Sequence, residues 1–129
     1  TEIEKDGYEI NEKVDIQISS SDQSGIVKSM GICSIGFSDV FDRLKPDVVI
    51  VLGDRYEIFS AASAAMISKI PIAHIHGGET TPAMLDGPIR HCLTKLSHLH
   101  FPAADDYARR IHQLGEAKER IFAFGGPDI

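Results

Sequence analysis

The sequence predicts an α/β domain, a parallel sheet with helices on both faces. Three observations predict it. Two apolar runs, DVVIVLGD (47–54) and IPIAHIHGG (70–78), each close on glycine followed by a polar residue. Apolar residues recur at helical spacing in the stretches around them. Strand and helix signals alternate along the chain, the pattern of parallel strands joined by right-handed crossovers.

The elements follow in order. VDIQI (14–18) is β-rich and reads as a strand. SSSDQSG (19–25) reads as a turn and helix entry, because Ser and Asp bond backbone N–H groups and cap helices. A helix is expected from Ile26 to Leu44, ended by Lys45-Pro46. Its Gly31 and Gly36 each weaken it by about 1 kcal/mol relative to alanine. The run 47–54 is apolar without alternation, so both its faces belong under cover in the middle of a sheet. RYEIFSAASAAMISK (55–69) is a helix of small residues suited to close packing, and 70–78 is a second buried strand. ETTPAML (79–85) is a loop, with Asp86 or Gly87 as N-cap and Pro88 in the first turn of a helix over 89–99. HFPAA (100–104) is extended. DDYARRIHQLG (105–115) is a helix with acids first and Gly115 as its C-cap. RIFAFGG (120–126) reads as a last strand, and DDYARR and EAKER as solvated helix faces.

At 129 residues the chain fits one domain, and 43% hydrophobic with 25% charged residues is a globular composition. A net charge of −6 argues against a general nucleic-acid role, which shows as a basic patch. Cys33 and Cys92 read as buried free thiols of a cytosolic protein. No apolar run is long enough to span a membrane, and the N-terminus lacks a signal-peptide pattern. The expectation is a cytoplasmic protein with no membrane partner. The absence of a starting Met suggests a piece of a longer chain.

Ligands of open parallel sheets bind outside the carboxyl ends of the strands. That rule selects Asp54 and Arg55 after the first apolar run, and His76, Gly77, Gly78 and Glu79 after the second. Asp86, Arg90 and His91 follow at the next helix, and Gly125 and Gly126 at the last strand. Asp54 reads either as helix N-cap or as a fixed carboxylate for acid, base or hydroxyl contact. Glu79 and Asp86 read as solvated loop acids or as acid/base groups. Arg90 has three possible partners: Asp86, Asp54 or an anion. His74 and His76 alternate on a strand and so share a face. A metal site needs three or four ligands, and no clear set is present; His74 reads instead as a hydrogen-bonded core histidine. No GxGxxG, P-loop or GxSxG motif supports nicotinamide, P-loop or serine-elbow chemistry.

The series LGDRYE, HIHGGE and IRH-x3-K-x-SHLH, in this order and spacing, resembles the hydrolysing UDP-N-acetylglucosamine 2-epimerases, including those supplying N-acetylmannosamine for sialic acid synthesis. Close relatives act on UDP-linked diamino sugars. The likeness runs over essentially the whole chain. It implies a GT-B-like enzyme of two Rossmann-like domains, of which residues 1–129 form part of the N-terminal one. The first strand and the C-terminal UDP-gripping domain are then missing, which makes the isolated fragment inactive. It implies anti elimination of UDP to a glycal, then hydration to the free 2-epimeric sugar, with no metal or redox cofactor. A homodimer or higher homo-oligomer is also implied.

By the same resemblance, Asp54, His76, Glu79 and Asp86 are the catalytic candidates, and Arg55, Gly77, Gly78, Arg90 and His91 the substrate-binding ones. Gly77 and Gly78 would let backbone approach the sugar nucleotide closely. Gly87 stands where many relatives carry a second acid, and His76 where several carry a catalytic Glu; the C2 base is open between His76 and Glu79. A non-hydrolysing epimerase is the first alternative, against which HIHGGE stands in place of a HVEAG-like segment. A non-catalytic sugar-nucleotide-binding module is the second.

Overall fold

A computed structural model describes residues 1–16, 22–80 and 86–127, with the side chain of Asp86 outside that set. Three parallel strands, β1 (Val49–Leu52), β2 (Ile72–Ile75) and β3 (Leu99–Phe101), lie in the order β1-β2-β3. The helices are α1 (Glu2–Lys5), α2 (Gln23–Leu44), α3 (Tyr56–Ile67), α4 (Asp86–Leu96) and α5 (Asp105–Gln113). A 3-10 turn spans Lys118–Arg120. The predicted α/β class and parallel pairing are present. The short α1 was not anticipated; Thr1 and Glu4 close a capping box around it.

Two expected strands differ. Residues 14–16 form no strand, and the rest of 14–18 lies outside the described residues. Val14 instead packs on α2, its Cγ1 2.6 Å from where a Cβ at Gly36 would lie. Residues 120–126 give one bridge, Ile121 to His100, rather than a strand. Phe122 and Phe124 there turn their rings onto Phe101, so side-chain packing rather than a backbone ladder holds the segment.

The core sits on one face of the sheet. Val51 and Ile72 meet Val40 and Phe41 of α2, Ala62 and Ala65 of α3, and Ile89 and Leu93 of α4. The alanines let α3 come close to the strands; a fully buried Leu93 or Ile72 contributes about 1.5–3 kcal/mol each. On the opposite face Ile50 is 66% exposed and Leu52 53%. In the order β1-β2-β3, β1 is an edge strand among the described residues, not a middle one, and no helix layer covers Ile50 and Leu52. Of the cysteines, Cys33 is buried as expected but Cys92 is exposed.

The helix ends place the strand tips. α2 stops at Lys45, whose φ of 46° is left-handed, just before Pro46. α5 ends with Gly115 at φ 105°, the expected glycine stop. β2 carries His74, fully buried, whose Nε2–H donates to the Gly53 carbonyl at 2.8 Å. Burial pushes His74 down from 6.5 to about 4. His100, on the same face of β3, is also lowered by burial, against the pull of Glu116 at 3.0 Å. Glu116 is itself held below its ordinary range. Burial acts in the raising direction, but the bonds from Lys95 and His100 outweigh it.

Two predictions follow from this packing. Gly31 has open space where its Cβ would lie, so Gly31→Ala should stabilise the chain by about 1 kcal/mol, whereas Gly36→Ala should not, because of Val14; urea midpoints compare them. Because the folded state depresses His74, its contribution is complete above its unfolded value near 6.5 and is lost as pH falls toward about 4. That loss amounts to at most about 3 kcal/mol. The fall in urea midpoint over that window should be shallower in His74→Gln, with His100 retaining part of the slope.

Candidate functional site

The carboxyl ends of β1 and β2 open onto a cleft of about 510 Å³ lined by Leu52, Gly53, His76, Glu79, Arg90 and Pro127. Each wall follows from a local feature. β1 ends because Gly53 adopts φ 92°, a left-handed geometry only glycine takes readily. Asp54 then leaves the strand. It is not the cap of α3, as one reading had it: the N-cap position is Arg55, with no side-chain cap bond. The Asp54 carboxylate instead accepts from Nη2 of Arg90 on α4.

Arg90 is buried and joins three elements. Besides Asp54, its Nη1 donates to the His76 carbonyl at 2.6 Å and lies 3.7 Å from Glu79 Oε2. Its Nε is buried without a partner among the described residues. Of the partners left open by sequence, Asp54 is met, with Glu79 alongside, while the Asp86 side chain lies outside the described residues. A buried guanidinium needs such partners, since removing one typically costs about 3–5 kcal/mol.

β2 stops at Ile75, and His76 turns out of the strand at φ 69°. The two histidines therefore do not act as an alternating pair on one strand face. His74 is held in the core, while His76 lines the cleft. His76 Nδ1 meets Glu79 Oε2 at 3.0 Å. A carboxylate only accepts, so Nδ1 is the donor in this contact. This His–carboxylate pair, beside a carboxylate–guanidinium pair, is suited to moving a proton to and from carbon.

Gly77 and Gly78 serve the protein's own packing. A Cβ at Gly77 would lie 3.1 Å from His74 Nδ1 and 3.3 Å from Thr94 Oγ1. At Gly78, with φ 80°, it would lie 2.3 Å from the Tyr107 carbonyl oxygen. The expected ligand cradle is, in the first place, a turn pressed against α4 and α5. Asp86 begins α4, at the entry of the helix that carries Arg90.

Two expected substrate contacts lie elsewhere. Arg55 is exposed, pairs with Glu57 at 2.6 Å and sits over the Tyr56 ring. His91 lines a separate cavity with Phe59, Cys92, Lys95, Leu96 and Leu114, about 100° around the helix from Arg90. One contributor was missed altogether. Arg110, assigned with DDYARR to a solvated face, donates to the Gly78 carbonyl, while Arg109 pairs with Asp106 at the surface. The signal was present: positions 107, 110 and 111 of α5, with Leu114 at its C-cap, form one packed stripe, with Ile111 fully buried.

Known proteins share this fold. The family model described as UDP-N-acetylglucosamine 2-epimerase matches residues 1–129. A GDP/UDP-N,N'-diacetylbacillosamine 2-epimerase (hydrolyzing) of Campylobacter jejuni is 44% identical over 124 residues, 96% of this chain and 32% of that protein. Polysialic acid biosynthesis protein P7 of Escherichia coli is 46% identical over 95% of this chain and 32% of its own length. The chain thus spans about a third of the curated relatives it matches. The UDP-GlcNAc 2-epimerase of Neisseria meningitidis bound to UDP-GlcNAc superposes with a TM-score of 0.78 at 27% identity, over 87% of this chain and 31% of that one. The Methanocaldococcus jannaschii enzyme in complex with UDP-GlcNAc and UDP gives 0.80 at 25%, over 91% and 32%. With the family model matched from end to end, relatives above 40% identity and the same fold in solved members, this chain belongs to the UDP-N-acetylglucosamine 2-epimerase family.

Proposed function

We propose that the parent protein is a hydrolysing UDP-amino-sugar 2-epimerase, and that this chain supplies the acid/base rim of its active site. The observation carrying the proposal is the His76–Glu79 pair at 3.0 Å, set beside Asp54–Arg90 at the mouth of one cleft. Relatives named for hydrolytic epimerisation of diacetylbacillosamine nucleotides support the reaction class. Solved members bound to UDP-GlcNAc support the substrate class.

In this reading the rest of the parent, including a C-terminal domain, holds the UDP. His76 Nε2, with Nδ1–H anchored on Glu79, takes the proton from C2 of the sugar. The C1–O bond to UDP breaks and a glycal forms. Water then adds at C1 while a proton returns to C2 on the opposite face, giving the free 2-epimer. Asp54 and Asp86 are the candidates for guiding the water and returning that proton. No step calls for a metal or redox group. Positioned acid/base catalysis of this kind contributes roughly 10²–10⁴-fold.

Incubating the full-length parent with UDP-N-acetylglucosamine and with UDP-N,N'-diacetylbacillosamine should release UDP and a free 2-epimeric sugar from at least one, read by NMR. Release of neither product from both substrates contradicts the proposal, and a UDP-linked epimer as product assigns the non-hydrolysing reaction. Glu79→Gln and His76→Ala should each lower kcat by roughly 10²-fold or more, with a smaller change in KM. Titrating UDP into the 129-residue chain by calorimetry should give weak or no binding; tight binding would place the nucleotide site in this chain instead.

A further inference from the structure

We propose that Arg110 is a positioning residue for the acid/base pair, acting from a helix that reaches none of the reacting groups. The inference rests on the functional reading of His76 and Glu79 given above. The turn 76–79 is an unfavourable piece of backbone. His76 sits at φ 69°, where residues with a Cβ are rare, and Gly78 at φ 80°. A non-glycine residue stays in that region only when its surroundings hold it there.

Among the described residues, three hydrogen bonds hold the backbone of this turn, each from a different element. The His76 N–H donates to the Phe101 carbonyl of β3 at 3.1 Å. The His76 carbonyl accepts from Arg90 of α4 at 2.6 Å. The Gly78 carbonyl accepts from Nη1 of Arg110 of α5. The first two fix the start of the turn. Arg110 alone among these grips the peptide that leads directly into Glu79.

Packing reinforces the direction. The Gly78 α-carbon lies so close to α5 that a Cβ there would meet the Tyr107 carbonyl at 2.3 Å and Ile111 Cγ1 at 3.0 Å. Tyr107, Arg110 and Ile111 occupy one stripe of α5, so the same face supplies the wall and the grip. A charged donor to a neutral carbonyl is stronger than an ordinary backbone bond. Releasing it lets the Gly78–Glu79 peptide rotate, and the Glu79 carboxylate then leaves His76 Nδ1. Glu79 bonds the His76 ring through Nδ1, so a change in Glu79 placement alters the hydrogen bonding of that ring.

The test uses the full-length parent carrying Arg110→Met or Arg110→Lys, with Arg109→Met as a surface control. UDP release is followed from pH 5 to 9. Arg110→Met should lower kcat roughly 10- to 100-fold with KM within about twofold, and shift the acidic limb of the kcat profile. Arg110→Lys, which keeps a charged donor, should recover part of the loss, and Arg109→Met should match wild type. Rates are normalised to folded protein by circular dichroism. An unchanged normalised kcat and pH profile in Arg110→Met overturns the proposal. If wild-type parent turns over no UDP-sugar, the functional reading fails, and the positioning claim is decided by the imidazole ¹⁵N shifts of His76. Those shifts should move in Arg110→Met; identical shifts overturn it.

Discussion

The buried guanidinium of Arg90 is the constraint on which the site depends. One side chain from α4 grips the tip of β1 through Asp54 and the turn after β2 through the His76 carbonyl. A cation withdrawn from water at that junction is tolerable only when it is paired and hydrogen-bonded, so the two strand ends and the helix cannot be placed independently. The register Leu52 to Ile75 brings the two strands to their ends together. Gly53 and His76 then both take left-handed backbone, opening the rim that Arg90 spans. The cleft is a consequence of satisfying this charge where the sheet stops.

Much of this was visible in the order of residues. An apolar run ending in Gly-Asp announces a strand and a polar group at its tip, though not that one face of β1 is exposed, and the strand-end rule then gathers Asp54, His76, Glu79 and Arg90 without coordinates. What sequence does not carry is direction. Arg90 and His91 are adjacent in a motif, yet consecutive helical residues point about 100° apart, and only one of them faces the cleft. Arg55 follows Asp54 directly but lies at the surface on Glu57. Partner choice was also hidden, because Asp54 lies 36 residues from Arg90 and Gly78 32 residues from Arg110.

Strand strength was overestimated where side chains compete with the ladder. The β-rich segment 120–126 is pinned by stacked phenylalanines and forms a single bridge. Residues 14–16 form no strand, and Val14 packs against Gly36 instead. The glycine pair after His76 changed meaning most. Its lack of side chains is needed by Thr94, His74 and the backbone of α5, so the turn is built from within before any ligand arrives. A rigid turn of this kind suits proton transfer, where displacement of about 1 Å can cost roughly 10²-fold in rate.

The most direct measurement is hydrogen isotope incorporation at C2. The full-length parent is run in D2O with the UDP-amino sugar that it turns over, and the released sugar is examined by NMR, for wild type and for Glu79→Gln. The predicted result is one deuterium at C2 of a free 2-epimer from wild type, appearing at least about 10²-fold more slowly in Glu79→Gln. A product that keeps its original C2 proton, or equal rates in the two proteins, would contradict the assignment of C2 proton transfer to the His76–Glu79 pair.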